Sequence, residues 1–264
     1  MESGIVCLTF DDGREDNVDV FHNYLLANDI PVTLNVTTGY VDGSCPMEFQ
    51  PSKRRAMTIQ DVVSLSKSSI VEIAAHGDMH LNADEDIDRG HAKLCDWVNC
   101  GDSKPMGFAS PSTQFSLSRL GKNQNWLKEH DFSYIAMGQR RGRWDRVQLL
   151  CRKVGRIFHL PVLYEIAYND TLMDRCEDGV VFRVPVHKDT TVRQVKRLVS
   201  KCIKDKKALF FMFHSVDSTT DDTWVWDEKK FQSLCLYLIK KRAEGSLQLC
   251  TVKEALSLME MKND

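Results

Sequence analysis

The chain has 264 residues, 42% of them apolar, which suits one large α/β domain with a sizeable core better than two small ones. A formal net charge of −2 and an isoelectric point near 6.5 exclude a strong overall field toward nucleic acid or an anionic membrane. The longest apolar stretch, Ala208 to Phe213, is too short to span a bilayer, and Met1-Glu2-Ser3-Gly4 lacks the basic region of a signal peptide. A cytoplasmic protein without membrane insertion is therefore expected. Nine scattered cysteines with no CxxC pair agree, reading as reduced thiols.

Short apolar runs alternate with amphipathic stretches along the chain. Ile5–Phe10 reads as a strand, and the spacing of Val18 to Leu26 predicts a helix ending near Asn28. Val32–Val36 is the next strand. Thr58 caps a helix running to about Lys67. Ile70–Ala75 is the third strand, Asp86–Cys100 a helix, Met106–Ser110 a short strand, Ser116 to about Glu129 a helix, and Ser133–Gly138 a strand. The stretch 139–179 is irregular, with a helix expected near 147–153. Alternation resumes with the strand Val180–His187, a helix over Val192–Lys204, the strand Ala208–His214, a helix over Lys229–Arg242, the strand Leu247–Val252 and a closing helix. About eight βα units predict a distorted or incomplete (β/α) barrel, with a doubly wound sheet as the alternative. Residues 1–264 are expected to form a single domain with an irregular insertion around 139–179.

Chemistry concentrates at strand ends. Thr9-Phe10-Asp11-Asp12-Gly13 places two adjacent carboxylates at the mouth of a buried strand, where each ionised group must be desolvated. Like charges so close persist only if a cation takes up the charge, and Gly13 lets the backbone turn both toward one point. His76-Gly77-Asp78-Met79-His80 follows the third strand. An Asp and a His-x-x-x-His, each at a strand end, suggest a mononuclear metal site with a free carboxylate beside it. Taken singly, Asp-Asp-Gly is commonly a turn, and two histidines at this spacing often lie on a solvated helix.

Thr9–Gly13 and His76-x-x-x-His80 resemble the first two motifs of the NodB-homology polysaccharide deacetylases, carbohydrate esterase family 4, and Leu209-Phe210-Phe211-Met212-Phe213-His214 resembles the family's last motif. Asn28-Asp29-Ile30-Pro31-Val32-Thr33 also continues as family members do. The resemblance implies a divalent metal ion held by Asp12, His76 and His80, zinc first, with cobalt, iron, manganese or nickel fitting the same donors. It implies Asp11 as the general base toward the attacking water and His214 as the general acid toward the leaving group. The implied activity is removal of an acyl group, N-acetyl above all, from a carbohydrate, so the expected partner is a small-molecule or oligosaccharide substrate and no nucleic acid.

The chain departs from that family at two places. Where the third motif carries an Arg, Phe108-Ala109-Ser110-Pro111-Ser112-Thr113 has Ala109, and the fourth motif's nearest approach is Gly142-Arg143-Trp144-Asp145. The cation that orients the base must then come from elsewhere. Arg183 and His187, alternating inward on their strand, are candidates for that role or for substrate contact. Ser110, Pro111 and Trp224 are further substrate-binding candidates, Trp224 by stacking on a sugar. The run Gln139–Arg146 could meet a phosphate or acidic sugar, or lie in solvent. The altered third motif keeps two alternatives open, hydrolysis of a cyclic amide or formamide, and a degenerate carbohydrate-binding module. The sequence leaves the oligomeric state open.

Overall fold

The computed structural model describes residues 3–50, 53–99, 105–140, 145–219 and 222–261. Seven parallel strands run round in chain order: β1 (Gly4–Phe10), β2 (Val32–Val36), β3 (Val71–Ala75), β4 (Met106–Ala109), β5 (Phe132–Met137), β6 (Val180–Pro185) and β7 (Ala208–Phe213). β7 returns to pair with β1 over Ile5–Phe10, closing a barrel. A doubly wound sheet would have left both edges open, so the distorted barrel is the fold. Two distortions mark it. β3 and β4 share one paired position, Ala75 with Phe108. An eighth strand, β8 (Leu247–Leu249), lies against β1 at Gly4–Val6, below the point where β2 pairs with Leu8–Phe10.

Helices connect the strands: α1 (Asp16–Val20, extended by a π turn to Leu25), α2 (Thr38–Val41), α3 (Ile59–Leu65), α4 (Asp84–Val98), α5 (Asn125–Glu129), α6 (Asp145–Ile157), α7 (Pro161–Tyr168), α8 (Val192–Asp205), α9 (Glu228–Ala243) and α10 (Val252–Glu260). Thr58, Thr191 and Thr251 each begin a helix with a reciprocal capping box to Asp61, Gln194 and Glu254. No helix among the described residues is long and apolar enough to cross a membrane.

Strand alternation sorts the side chains into two cores. Val6, Leu8 and Phe10 of β1 face the helices with Val32, Leu34, Phe211 and Phe213. Ile5 and Cys7 face inward with Tyr134, Val181 and Phe210, and there α10 supplies Val252, Ala255, Leu256 and Met259. These side chains plug the barrel floor, each large one stabilising by roughly 1.5–3 kcal/mol through burial. Above the plug the interior turns polar. Glu72 accepts hydrogen bonds from Tyr134 Oη (2.8 Å), Thr33 Oγ1 (2.8 Å) and the Lys253 amide (3.0 Å), while burial pushes its carboxyl up.

Two expected elements differ. The helix over 116–129 breaks into 3-10 turns and the short α5, because Gly121 adopts φ +68, ψ −175, a conformation that only glycine enters readily. The 139–179 stretch is more regular than expected, holding α6 and α7. Gly142, Arg143 and Trp144 of the weak fourth-motif match lie outside the described residues.

Candidate metal and catalytic site

Three of the site residues sit on rungs that end a strand ladder. The Asp11 amide donates to Phe213 O (2.9 Å), the His76 amide to Val36 O (2.9 Å), and the Ser110 amide to Ala136 O (2.9 Å). The inward alternation of Cys7 and Thr9 therefore carries Asp11 into the barrel mouth. Asp12 then turns at φ +77 and His80 at φ +61, left-handed values that non-glycine residues adopt at a cost of order 1–3 kcal/mol. Asp86 of α4 holds the second loop in that shape. Its carboxylate accepts from the amides of Asp78 (3.1 Å), Met79 (2.9 Å) and Leu81 (3.0 Å). A Cβ on Gly77 would come within 2.8 Å of that same carboxylate, so only glycine fits there.

Asp12, His76 and His80 converge, with one ligand atom from each lying within 4.8 Å of the others. Asp12 Oδ1 is 3.6 Å from Nε2 of both histidines. His76 Nδ1 donates to the Ala109 carbonyl (2.7 Å), which fixes the tautomer and leaves the Nε2 lone pair facing the carboxylate. The other Asp12 oxygen, Oδ2, accepts from Arg14 Nε (3.2 Å) and Nη2 (2.8 Å). Arg14 is itself fully buried, donating to Gln50 Oε1 (2.8 Å) and Arg54 O (3.0 Å) over the Tyr40 ring. Asp12 Oδ1 is left buried with no hydrogen-bond partner. An orphaned carboxylate oxygen facing two imidazole nitrogens fits a divalent cation, and those three residues could hold one. Burial opposes the Asp12 charge, but Arg14, His214, His80 and His76 outweigh it and hold the carboxyl well below its usual range. Burial and His76 push His80 down to about 4, so it is neutral at pH 7, as a ligand must be.

Asp11 lies beside this triad without belonging to it. Its Oδ2 is 3.9 Å from His76 Nε2, and its Oδ1 accepts from Arg183 Nη1 (2.6 Å) and Asn35 Nδ2 (2.6 Å). Arg183 also donates to Thr9 Oγ1 (3.1 Å) and Met137 O (3.3 Å). Burial opposes the Asp11 charge too, and Arg183, His76 and His214 bring its carboxyl below the ordinary value. The cation beside Asp11 thus comes from β6, two strands on from the β4 that carries Ala109. Sequence reasoning did not single out Asn35, Arg14 or Asp86. The signal for Asn35 was present: with Thr33 it puts polar groups at alternate positions of a strand buried throughout.

A cavity of about 1570 Å³ opens over the strand ends, lined by Asp11, Asp12, His76, His80, Ser110, His187, His214 and Trp224, with α6 and α7 as its far wall. Trp224 packs against the rings of both His214 (4.5 Å) and His187 (4.6 Å). Burial lowers the pKa of His214 against the pull of Asp12 and Asp11. Two of the residues considered for substrate contact are buried. Arg183 has no exposed surface and lies beneath Asp11. Pro111 is buried, its carbonyl accepting from Asn82 Nδ2 (2.8 Å), while Ser112 and Thr113 line the cavity instead. Trp226 is core, donating to Thr190 O (2.8 Å).

His187 provides a test of this burial. Burial, Arg156, His214 and Arg152 push its pKa down to about 4, against Asp189. The unfolded ring protonates near 6.5, so its contribution is complete above that pH and is lost as pH falls toward 4. Between pH 7.5 and 4.5 wild type is expected to lose about 2–3 kcal/mol more stability than His187→Gln in urea unfolding. Equal losses would show that the ring is not held neutral.

Residues 1–116 match the family model described as polysaccharide deacetylase. No curated protein sequence matches the chain. Among solved structures it is similar to the Streptococcus pyogenes deacetylase PplD in complex with acetate, at 16% identity and a TM-score of 0.40, over 50% of this chain and 55% of that one. It is similar to a putative polysaccharide deacetylase from Mycobacterium smegmatis, at 10% identity and a TM-score of 0.54, over 100% of this chain and 92% of that one. A 4-alpha-glucanotransferase from Thermococcus litoralis shares 12% identity and a TM-score of 0.56, over 97% of this chain and 40% of that one. The chain spans between half and two thirds of the length of several such deacetylases. At these identities the structural likeness shows the fold alone.

Proposed function

We propose that this chain, whose residues 1–116 match the polysaccharide deacetylase family model, is a metal-dependent hydrolase that removes an acyl group, N-acetyl above all, from a carbohydrate. In this reading the whole chain, 1–264, acts as one catalytic unit. The observation that carries it is Asp12 Oδ1, buried, unpartnered and 3.6 Å from two imidazole nitrogens, with an unligated carboxylate alongside. Asp12, His76 and His80 would hold the ion, zinc first, with cobalt, iron, manganese or nickel suited to the same donors. A divalent ion in such a site supplies Lewis acidity and acidifies a water.

The residues of the chain supply the rest. Arg183 and Asn35 occupy Asp11 Oδ1, which leaves Oδ2, the oxygen nearer the triad, to accept the proton of the attacking water. His214 hands a proton to the leaving amine. Burial favours its neutral ring, and the proton that Asp11 takes from the water balances the one delivered to the amine, so the step needs no outside donor. The cavity exceeds the roughly 300–1,000 Å³ of an ordinary small-ligand pocket, which favours an oligosaccharide over a single sugar. Trp224 offers it an aromatic wall.

The test is to reconstitute the purified protein with each metal and incubate it with chito-oligosaccharides and small N-acetyl sugars. Release of acetate and free amine, lost in Asp11→Asn, is the expected result. Ala109 in place of the usual Arg favours a second reading, in which another C–N bond is cut or sugar is only bound. Unchanged sugar with intact binding would select the binding module, and turnover of a cyclic amide or formamide alone would select the other hydrolase.

A further inference from the structure

We propose that the α6–α7 hairpin is the face by which the protein adsorbs to an anionic lipid surface. The large apolar side chains that the described residues expose concentrate there. Leu150, Ile157 and Phe158 are 60%, 69% and 66% exposed, and Val147, Leu160 and Val162 lie beside them. Single exposed apolar residues need no explanation, but a cluster on one hairpin does. α6 buries only Gln148 and Gly155, so its packing on α7 uses a narrow strip of the helix.

Charge chooses the partner. From Asp145 to Tyr168 the chain has four cations, Arg146, Arg152, Lys153 and Arg156, against two carboxylates, Asp145 and Glu165. Glu165 is paired with Arg197 of α8 and Arg156 with Asp189, which leaves Arg146, Arg152 and Lys153 against Asp145. The hairpin is therefore locally basic on a chain whose total charge is −2, a distribution that whole-chain charge conceals. At about 100° per residue, Arg146 and Lys153 fall between the exposed Leu150–Ile157 stripe and the cavity-facing side of the helix. Apolar side chains flanked by Arg and Lys are what an interfacial helix presents to anionic headgroups. A second copy docked on the same patch would bring like charges together across a two-fold axis, which disfavours it.

Leu149 and Ile157 also line the cavity, so adsorption on this face would bring the cavity mouth to the bilayer. Delivery of a lipid-borne glycan to the site is a consequence that rests on the hydrolase reading; adsorption itself does not.

The experiment floats the purified full chain with vesicles of phosphatidylcholine alone or with about a third phosphatidylglycerol. Binding to the anionic vesicles only, weakened by salt, is expected. Leu150→Ser with Phe158→Ser should reduce it at least about tenfold while leaving the unfolding midpoint unchanged, since both side chains are exposed. Arg146→Glu with Lys153→Glu should abolish the preference for anionic lipid. No flotation with either vesicle, or variants that float like wild type, would overturn the proposal. A wild-type dimer in light scattering that Phe158→Ser dissociates would assign the face to a second copy instead. Each of these results is independent of deacetylation.

Discussion

Asp11→Asn is expected to lower the deacetylation rate by about 10²- to 10⁴-fold while divalent-metal binding stays intact. The amide keeps the shape of the carboxylate and can still accept from Arg183 and Asn35 at one oxygen, but cannot take up a proton. Asp11 is not one of the three convergent ligand atoms, so metal content should match wild type. The pair of measurements is steady-state kinetics with metal analysis on the same preparation. Loss of both together would place Asp11 among the ligands and remove it from the role of base.

Arg183→Met is expected to have the largest effect on stability. The guanidinium has no exposed surface and lies 2.6 Å from an equally buried carboxylate. Removing one partner of such a pair leaves an uncompensated charge and costs about 3–5 kcal/mol, read in chemical denaturation. The opposing action of burial on Asp11 then goes unanswered, so its carboxyl should titrate at higher pH. The acid limb of the pH–rate profile is expected to move up with it. Arg183→Lys should recover part of both losses, as a point charge without the fork. Ala109→Arg added to Arg183→Met should also recover part of the rate, since Ala109 faces the same interior. An acid limb identical to wild type in Arg183→Met would show that the guanidinium does not tune the base.

The parts of this site that were legible in the sequence are local. Asp11, His76 and His214 each directly follow a short apolar strand, and Asp12 and His80 lie in the loops after two of them, so strand order points all five to one mouth. What was illegible depends on distance along the chain. Arg183 meets Asp11 across 172 positions, and its inward register could nominate it but not show which group it would reach. Arg14 lies two residues from Asp12 and reads as a solvated loop cation, yet Gln50 and Arg54, some forty residues on, close over it. Asp86 reads as an ordinary first-turn acid of a helix, and its three amide partners exist only because the loop before it folds back. α6 runs over Asp145–Ile157, longer at both ends than the helix expected near 147–153.

Metal analysis of wild type against His76→Ala and His80→Ala, by elemental analysis and competitive chelator titration, tests the account most directly. One divalent ion per chain in wild type, lost or bound at least about tenfold more weakly in either variant, is the predicted result. A wild-type protein that takes up no ion after reconstitution, or variants that bind it with unchanged affinity, would contradict it.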